Sequence, residues 1–271
     1  MPYLKSKVGT NWFYEMEGSG STLLFLHGWG VNSLIWRQQF KYFSQTHQVI
    51  AIDLPGHGKT EWQNMNLTEI AFGIIDIFNQ LNLNSVTIVG SSFGGLVGLK
   101  IFDIDPRIIR RFVLVGTQAK LSFSEDNLYG MDVQRIRKLA NQLETAYPEI
   151  INIFFRSLFT KEERESRRFK WLQTFRKTDK IPERAALLNM LDILEKEDLR
   201  PVLHRLRIPL QFINGTEDTI CPWVMISNLK EKLPQARFEW FTECGHFPFL
   251  SKPHEFNQVV EKFLTDTTRA S

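Results

Sequence analysis

The sequence predicts an α/β fold: a mostly parallel, twisted sheet with helices on both faces and an inserted helical segment. Three observations carry this. Short continuous apolar runs recur along the chain, and amphipathic helical patterns separate them. Residues 119–187 break that rhythm with charged, Phe-rich helical sequence and no clear strand. Parallel strands covered on both faces have no polar side, so continuous runs rather than alternation mark them. In chain order, 3–16 is expected to add an antiparallel hairpin. Strands follow at 23–27 and 48–53, then a helix from Leu67 to Leu81 that Asn66 or Thr68 can cap. Further strands fall at 86–90, 111–116, 209–214 and 237–242. A helix near 254–265, with Phe256, Val259, Val260, Phe263 and Leu264 on one side, closes the chain. The expected division is a core of 1–118 and 188–271, with 119–187 inserted as a lid.

Composition narrows the class. The 271 residues are 43% hydrophobic and include 22 Phe, enough for one large core. No apolar run approaches the ~20 residues that cross a bilayer, and the first residues lack a long apolar leader. A net charge of +3 with no accompanying motif gives no case for nucleic acid. Two cysteines, Cys221 and Cys244, make no disulfide framework, so free thiols and a cytoplasmic location are expected.

Chemistry is concentrated in four loops. Gly90-Ser91-Ser92-Phe93-Gly94 follows the run 85–89 and precedes a helical stretch. A G-x-S-x-G in a strand–turn–helix setting is a nucleophile elbow: the turn is too crowded for Cβ atoms at its flanks, and its middle residue is held strained. Ser92 is therefore the candidate nucleophile. A serine hydroxyl needs a base, and the base needs an acid to fix its tautomer. Downstream, the chain offers Glu217 and Asp218 in the loop after the strand 209–214, and His246 after the last strand. The order Ser…Asp…His suits Ser92, Asp218 and His246, with Glu217 as the competing acid that spacing does not separate. The fourth loop, His27-Gly28-Trp29-Gly30, ends the first core strand. Its glycines let backbone N–H groups face a ligand, so the N–H groups of Trp29 and Phe93 are the expected oxyanion donors. His27 and His57 are read as structural, and no spacing suggests a metal site or a cofactor.

These segments together resemble the α/β-hydrolase family over nearly the whole chain: His27 to Gly30, Asp53-Leu54-Pro55-Gly56-His57-Gly58, Gly90 to Gly95, Gly215 to Asp218 and Gly245-His246 fall in its order. Within it, the chain is similar to the carboxylesterases that hydrolyse pimeloyl-acyl-carrier-protein methyl ester in biotin synthesis. The residues concerned are Trp29 with Trp36, Leu188-Asn189, Ile193-Leu194, Asp198-Leu199-Arg200 and the stretch His246 to Pro253. The resemblance implies that Trp29 lines an acyl pocket and that Phe155 and Leu158 lie against the acyl chain. Phe159 stands where that family has a polar residue. It also implies that lid arginines hold an acidic acyl carrier protein, here Arg156, Arg164, Arg167 and Arg168. Charge agrees, because residues 156–184 carry +5 while the rest of the chain carries −2. A solvated helix face, with Glu162, Glu163 and Glu165 pairing with the arginines, would look the same. A generic short-chain esterase or thioesterase, the menaquinone-pathway carboxylate synthase and a slow-turnover ligand receptor share the same motifs.

Overall fold

The computed structural model describes residues 2–176 and 180–266, with the side chains of 175 and 176 outside that description. Eight strands form one sheet in the order β1-β2-β4-β3-β5-β6-β7-β8. They are β1 (Tyr3–Lys5), β2 (Asn11–Glu17), β3 (Thr22–Leu26), β4 (Gln48–Ile52), β5 (Val86–Ser91), β6 (Ile109–Val115), β7 (Leu210–Gly215) and β8 (Arg237–Phe241). The β1–β2 and β2–β4 pairs are antiparallel, and every other pair is parallel. The expected runs therefore sit on the expected strands, shifted by a residue or two at their ends.

Single-residue alternation explains why these strands read as continuous apolar runs. Leu24 and Leu26 of β3, Ile50 and Ile52 of β4, and Phe112 and Leu114 of β6 face one side of the sheet. There they meet α2 (Leu67–Gln80) and α3 (Phe93–Ile104) through residues such as Ile70, Ile74, Leu96 and Leu99. Their neighbours Leu23, Phe25, Val49, Ala51 and Val113 face the other side, against Trp36 and Phe43. That layer also contains Phe249, Phe256 and Val260, from α12 (Pro248–Ser251) and α13 (Pro253–Thr265), while Phe43 ends α1 (Arg37–Phe43). Each such side chain contributes roughly 1.5–3 kcal/mol by leaving water, so both faces of the sheet are strongly held. Asn66 caps α2: its side chain accepts from Glu69 N at 2.9 Å, and Glu69 accepts from Asn66 N at 2.8 Å.

Between β6 and β7 the described residues form six helices and add no strand to the sheet. These are α4 (Val133–Ala146), α5 (Glu149–Ser157), α6 (Lys161–Glu165), α7 (Arg167–Arg176), α8 (Arg184–Lys196) and α9 (Arg200–Arg205). The boundary expected at 187 falls inside α8, whose Leu187 and Met190 join the core. Two short helices, α10 (Trp223–Ser227) and α11 (Leu229–Lys232), connect β7 to β8. Among the described residues no helix is long and apolar enough to cross a membrane.

Two buried histidines tie the loops after β3 and β4 together and give the fold an acid-sensitive point. His27 Nε2 accepts the Leu54 N–H at 2.9 Å, and its Nδ1 lies 2.8 Å from Gly28 O. Burial pulls His27 down to about 4. It pulls the adjacent His57 down to about 3, with His27 as the second cause. Unfolded, both would titrate near 6.5. As pH falls from 6.5 toward 4 the unfolded chain binds protons that the folded chain cannot, so stability is present above pH 6.5 and declines below it. Each histidine contributes a slope of about 1.4 kcal/mol per pH unit. Urea unfolding at pH 7 and pH 5 is expected to show a loss of about 4 kcal/mol from the pair. Equal midpoints at the two pH values would refute it.

Candidate active site

Ser92 stands between β5 and α3 with φ 51° and ψ −116°, a conformation that a non-glycine residue adopts only when its surroundings impose it. Those surroundings are identifiable. A Cβ on Gly90 would come within 2.6 Å of Gly95 Cα, and a Cβ on Gly94 would strike Leu26 O, so α3 approaches β5 and the end of β3 as only glycines permit. Ser92 N donates to Val115 O at 2.8 Å, and Thr117 Oγ1 donates to Ser92 O at 3.2 Å, pinning the turn from both sides. Gly28 backs onto it: a Cβ there would lie 3.3 Å from Ser92 Cβ. Gly28, from the loop after β3, and the first turn of α3 thus both lie next to Ser92.

His246 and Asp218 are brought together by the loops after β8 and β7. His246 Nδ1 is 2.7 Å from Asp218 Oδ2, and both side chains are buried. The other oxygen, Oδ1, accepts from Ile220 N at 2.8 Å and Cys221 N at 2.9 Å. Three donors therefore fix this carboxylate. Glu217 is exposed, and of the two neighbouring acids it is Asp218 that meets His246. Gly116, which the sequence reading missed, makes room for the ring: at φ 53°, a Cβ there would sit 2.8 Å from His246 Cε1. Its only sequence signal is a glycine directly after a strand.

Ser92 and His246 open on one cavity of about 350 Å³ that Trp29 also lines. Trp29 is held by its indole N–H donating to Leu187 O at 2.9 Å and by an edge-to-face contact with Phe154 at 4.8 Å. Leu158 lies on the cavity wall. Phe155 and Phe159 do not. They pack with each other at 5.1 Å and with Phe169 and Phe247 in a buried aromatic cluster. Helix phase is the reason for Phe155: Phe154 lies on the face of α5 turned to the cavity and Phe155 is turned about 100° from it, while Phe159 lies beyond the end of α5. Much of the remaining wall is apolar, with Met131, Ile136, Leu139, Leu191, Leu194 and Ile220, and Gln118, Gln142 and Thr219 are among its polar residues.

The four arginines divide. Arg168 donates to Leu250 O and, at 2.6 Å, to Gln38 Oε1, and burial lowers its pKa. Arg164 donates to Phe159 O at 2.8 Å. Both are engaged in bracing helices rather than presented outward, because backbone carbonyls left open at short helix ends draw guanidinium donors. Arg156, over the Phe169 ring at 5.6 Å, and Arg167 are exposed. Arg135 and Lys138, one turn apart on α4, line the cavity and were not anticipated. Phe175, Arg176, Lys177 and Asp179, part of the sequence-level charge and aromatic count, lie outside the described side chains. Cys221 and Cys244 are buried free thiols, as expected, and burial pushes both thiols up.

This geometry can be set beside known proteins. A pimeloyl-[acyl-carrier protein] methyl ester esterase of Nitrosomonas europaea is 28% identical over 246 residues, covering 89% of this chain and 95% of that protein. One from Wigglesworthia glossinidia brevipalpis is 28% identical, covering 93% and 97%. Among solved structures, an esterase from Exiguobacterium antarcticum superposes with a TM-score of 0.89 at 23% identity, covering 97% of this chain and 99% of that one. The enol-lactonase of Burkholderia xenovorans LB400 gives 0.87 at 19% identity, covering 98% and 100%. The likeness to these structures is one of fold, and the family model for the alpha/beta hydrolase fold matches residues 21–253. On that match, and with the sheet order and elbow already described, the chain belongs to the alpha/beta hydrolase fold family.

Proposed function

We propose that the protein is a serine carboxylesterase that hydrolyses an acyl methyl ester, pimeloyl-[acyl-carrier protein] methyl ester in biotin synthesis, through an acyl-enzyme. The observation that carries the reading is the buried His246–Asp218 pair at 2.7 Å, opening on the same cavity as the strained Ser92. His246 takes the proton of Ser92 as the hydroxyl attacks the ester carbonyl, and the Trp29 and Phe93 amides hold the oxyanion. His246 then protonates the departing methanol. Water repeats the sequence on the acyl-enzyme and releases the free carboxylate. The two steps need no cofactor.

Residues 119–187 serve as a lid over a core of 1–118 and 188–271, in a cytoplasmic enzyme. Names of the relatives supply the substrate, and an apolar cavity edged by Arg135 and Lys138 suits an apolar chain leading toward an anionic group. Arg156 and Arg167 add outward positive charge that would steer an acidic carrier protein. Hydrolysis of the carrier-bound ester should exceed that of free pimelate monomethyl ester at low salt and lose that advantage at high salt. Equal rates on the two at low salt would leave a general carboxylesterase.

A further inference from the structure

The loop that carries His246 is held from two sides. From the core comes Asp218. From the lid comes the corner between α5 and α6, where Leu158 O accepts the His246 backbone N–H at 2.8 Å. One residue earlier in the same loop, Gly245 N donates to Glu163 Oε2 at 3.1 Å, across 82 residues of chain. The contact leaves no slack, since a Cβ on Gly245 would lie 3.1 Å from Phe159 Cα and 3.0 Å from Glu163 Oε2.

Glu163 has an ordinary local duty as well. It is the third residue of a capping box, with its N–H donating to Thr160 Oγ1 at 3.1 Å and its Oε2 accepting from Thr160 N at 2.7 Å. A cap needs nothing more, and most such carboxylates face water. Here the same oxygen reaches on to the catalytic loop, and Oε1 is buried as well. The buried Cys244 thiol lies beside it, raised by burial, then by the Glu163 charge and by a hydrogen bond to Glu163. Burying a carboxylate is costly, and helix capping alone does not require it.

The geometry points to Glu163 as a positioning residue that clamps the Gly245–His246 peptide to the lid, so that the lid as well as Asp218 sets where the imidazole stands over Ser92. This rests on the esterase reading. Both Glu163 bonds end on one oxygen, so an amide oxygen in its place can accept both. The role therefore belongs to the reach and direction of the acceptor rather than to its charge.

Four variants separate this from capping: Glu163→Ala, Glu163→Asp, Glu163→Gln and Thr160→Ala, assayed on a short nitrophenyl ester whose acyl group does not reach the lid helices. Misplacing the base should lower kcat about tenfold in the Ala and Asp variants while KM stays within about twofold. The Gln variant should keep most of the wild-type rate. Thr160→Ala, which weakens the cap and leaves the clamp, should do the same. A second readout needs no turnover: the downfield Nδ1–H proton resonance of His246 should shift in the Ala and Asp variants and stay in place in the Gln variant. If Glu163→Ala does not fold, the Asp and Gln pair decides. A Gln variant as slow as Asp, a Thr160→Ala variant as slow as Glu163→Ala, or an unmoved resonance overturns the proposal. If the wild type turns over no ester while the resonance responds as stated, the esterase reading falls and the positioning role stands.

Discussion

Ser92→Ala is expected to lower kcat on a nitrophenyl or methyl ester by about 10⁶-fold, leaving only the residual acceleration that binding and oxyanion donors supply. Besides Ser92, the hydroxyls and thiol on the cavity wall belong to Ser157, Thr219 and Cys221. Ser157 is turned away, its hydroxyl donating to Phe154 O at 2.6 Å. Cys221 also lines the cavity, but burial pushes its thiol up, so it stays protonated and a poor nucleophile. Stability should hardly change. The bonds that pin the turn use the Ser92 backbone, to Val115 O and from Thr117 Oγ1, and alanine keeps both. The positive φ costs alanine about what it costs serine. Steady-state kinetics with thermal melting checks both halves. A folded variant retaining more than a few per cent of the rate would remove Ser92 as the nucleophile.

How far the site could be read beforehand depended on whether its geometry is local. The elbow is local: two flanking glycines, a preceding apolar run and a following helix determine the strained turn, so Ser92 stands out in the sequence alone. The apolar runs likewise announce the sheet, because strands covered on both faces have no polar side to hide. Asp218 and Glu217 are neighbours in a loop, and only the fold shows which one turns inward to His246. Phe155 and Phe159 illustrate a different limit. Resemblance gives a segment its place, but a shift of one residue on a helix turns a side chain by about 100°, and Phe154 takes the wall instead. Arg164 and Arg168 look like free surface charge until the carbonyls of Phe159 and Leu250 appear beside them. Thr160 to Glu163 is a readable capping box. Its second bond, to Gly245, belongs to tertiary contact and leaves no local trace.

Asp218→Asn is expected to lower kcat by about 10⁴-fold near neutral pH, with KM little changed. The argument lies in which oxygen does what. Oδ1 accepts two backbone N–H groups, from Ile220 and Cys221, and Oδ2 faces His246 Nδ1. Asparagine can satisfy those backbone donors only by placing its carbonyl oxygen where Oδ1 was. Its NH₂ then faces Nδ1 and must find a lone pair there. That drives the imidazole proton to Nε2, the position from which the ring has to accept the proton of Ser92. The ring stays in place but holds its proton on the wrong side, so the loss falls on the chemical step. Glu217→Gln changes an exposed side chain one residue away and should leave kcat within about twofold. Turnover numbers for the two variants, measured side by side, decide the acid. A larger loss in Glu217→Gln would reassign it, whereas the expected order would tie the rate to the donors that orient one carboxylate.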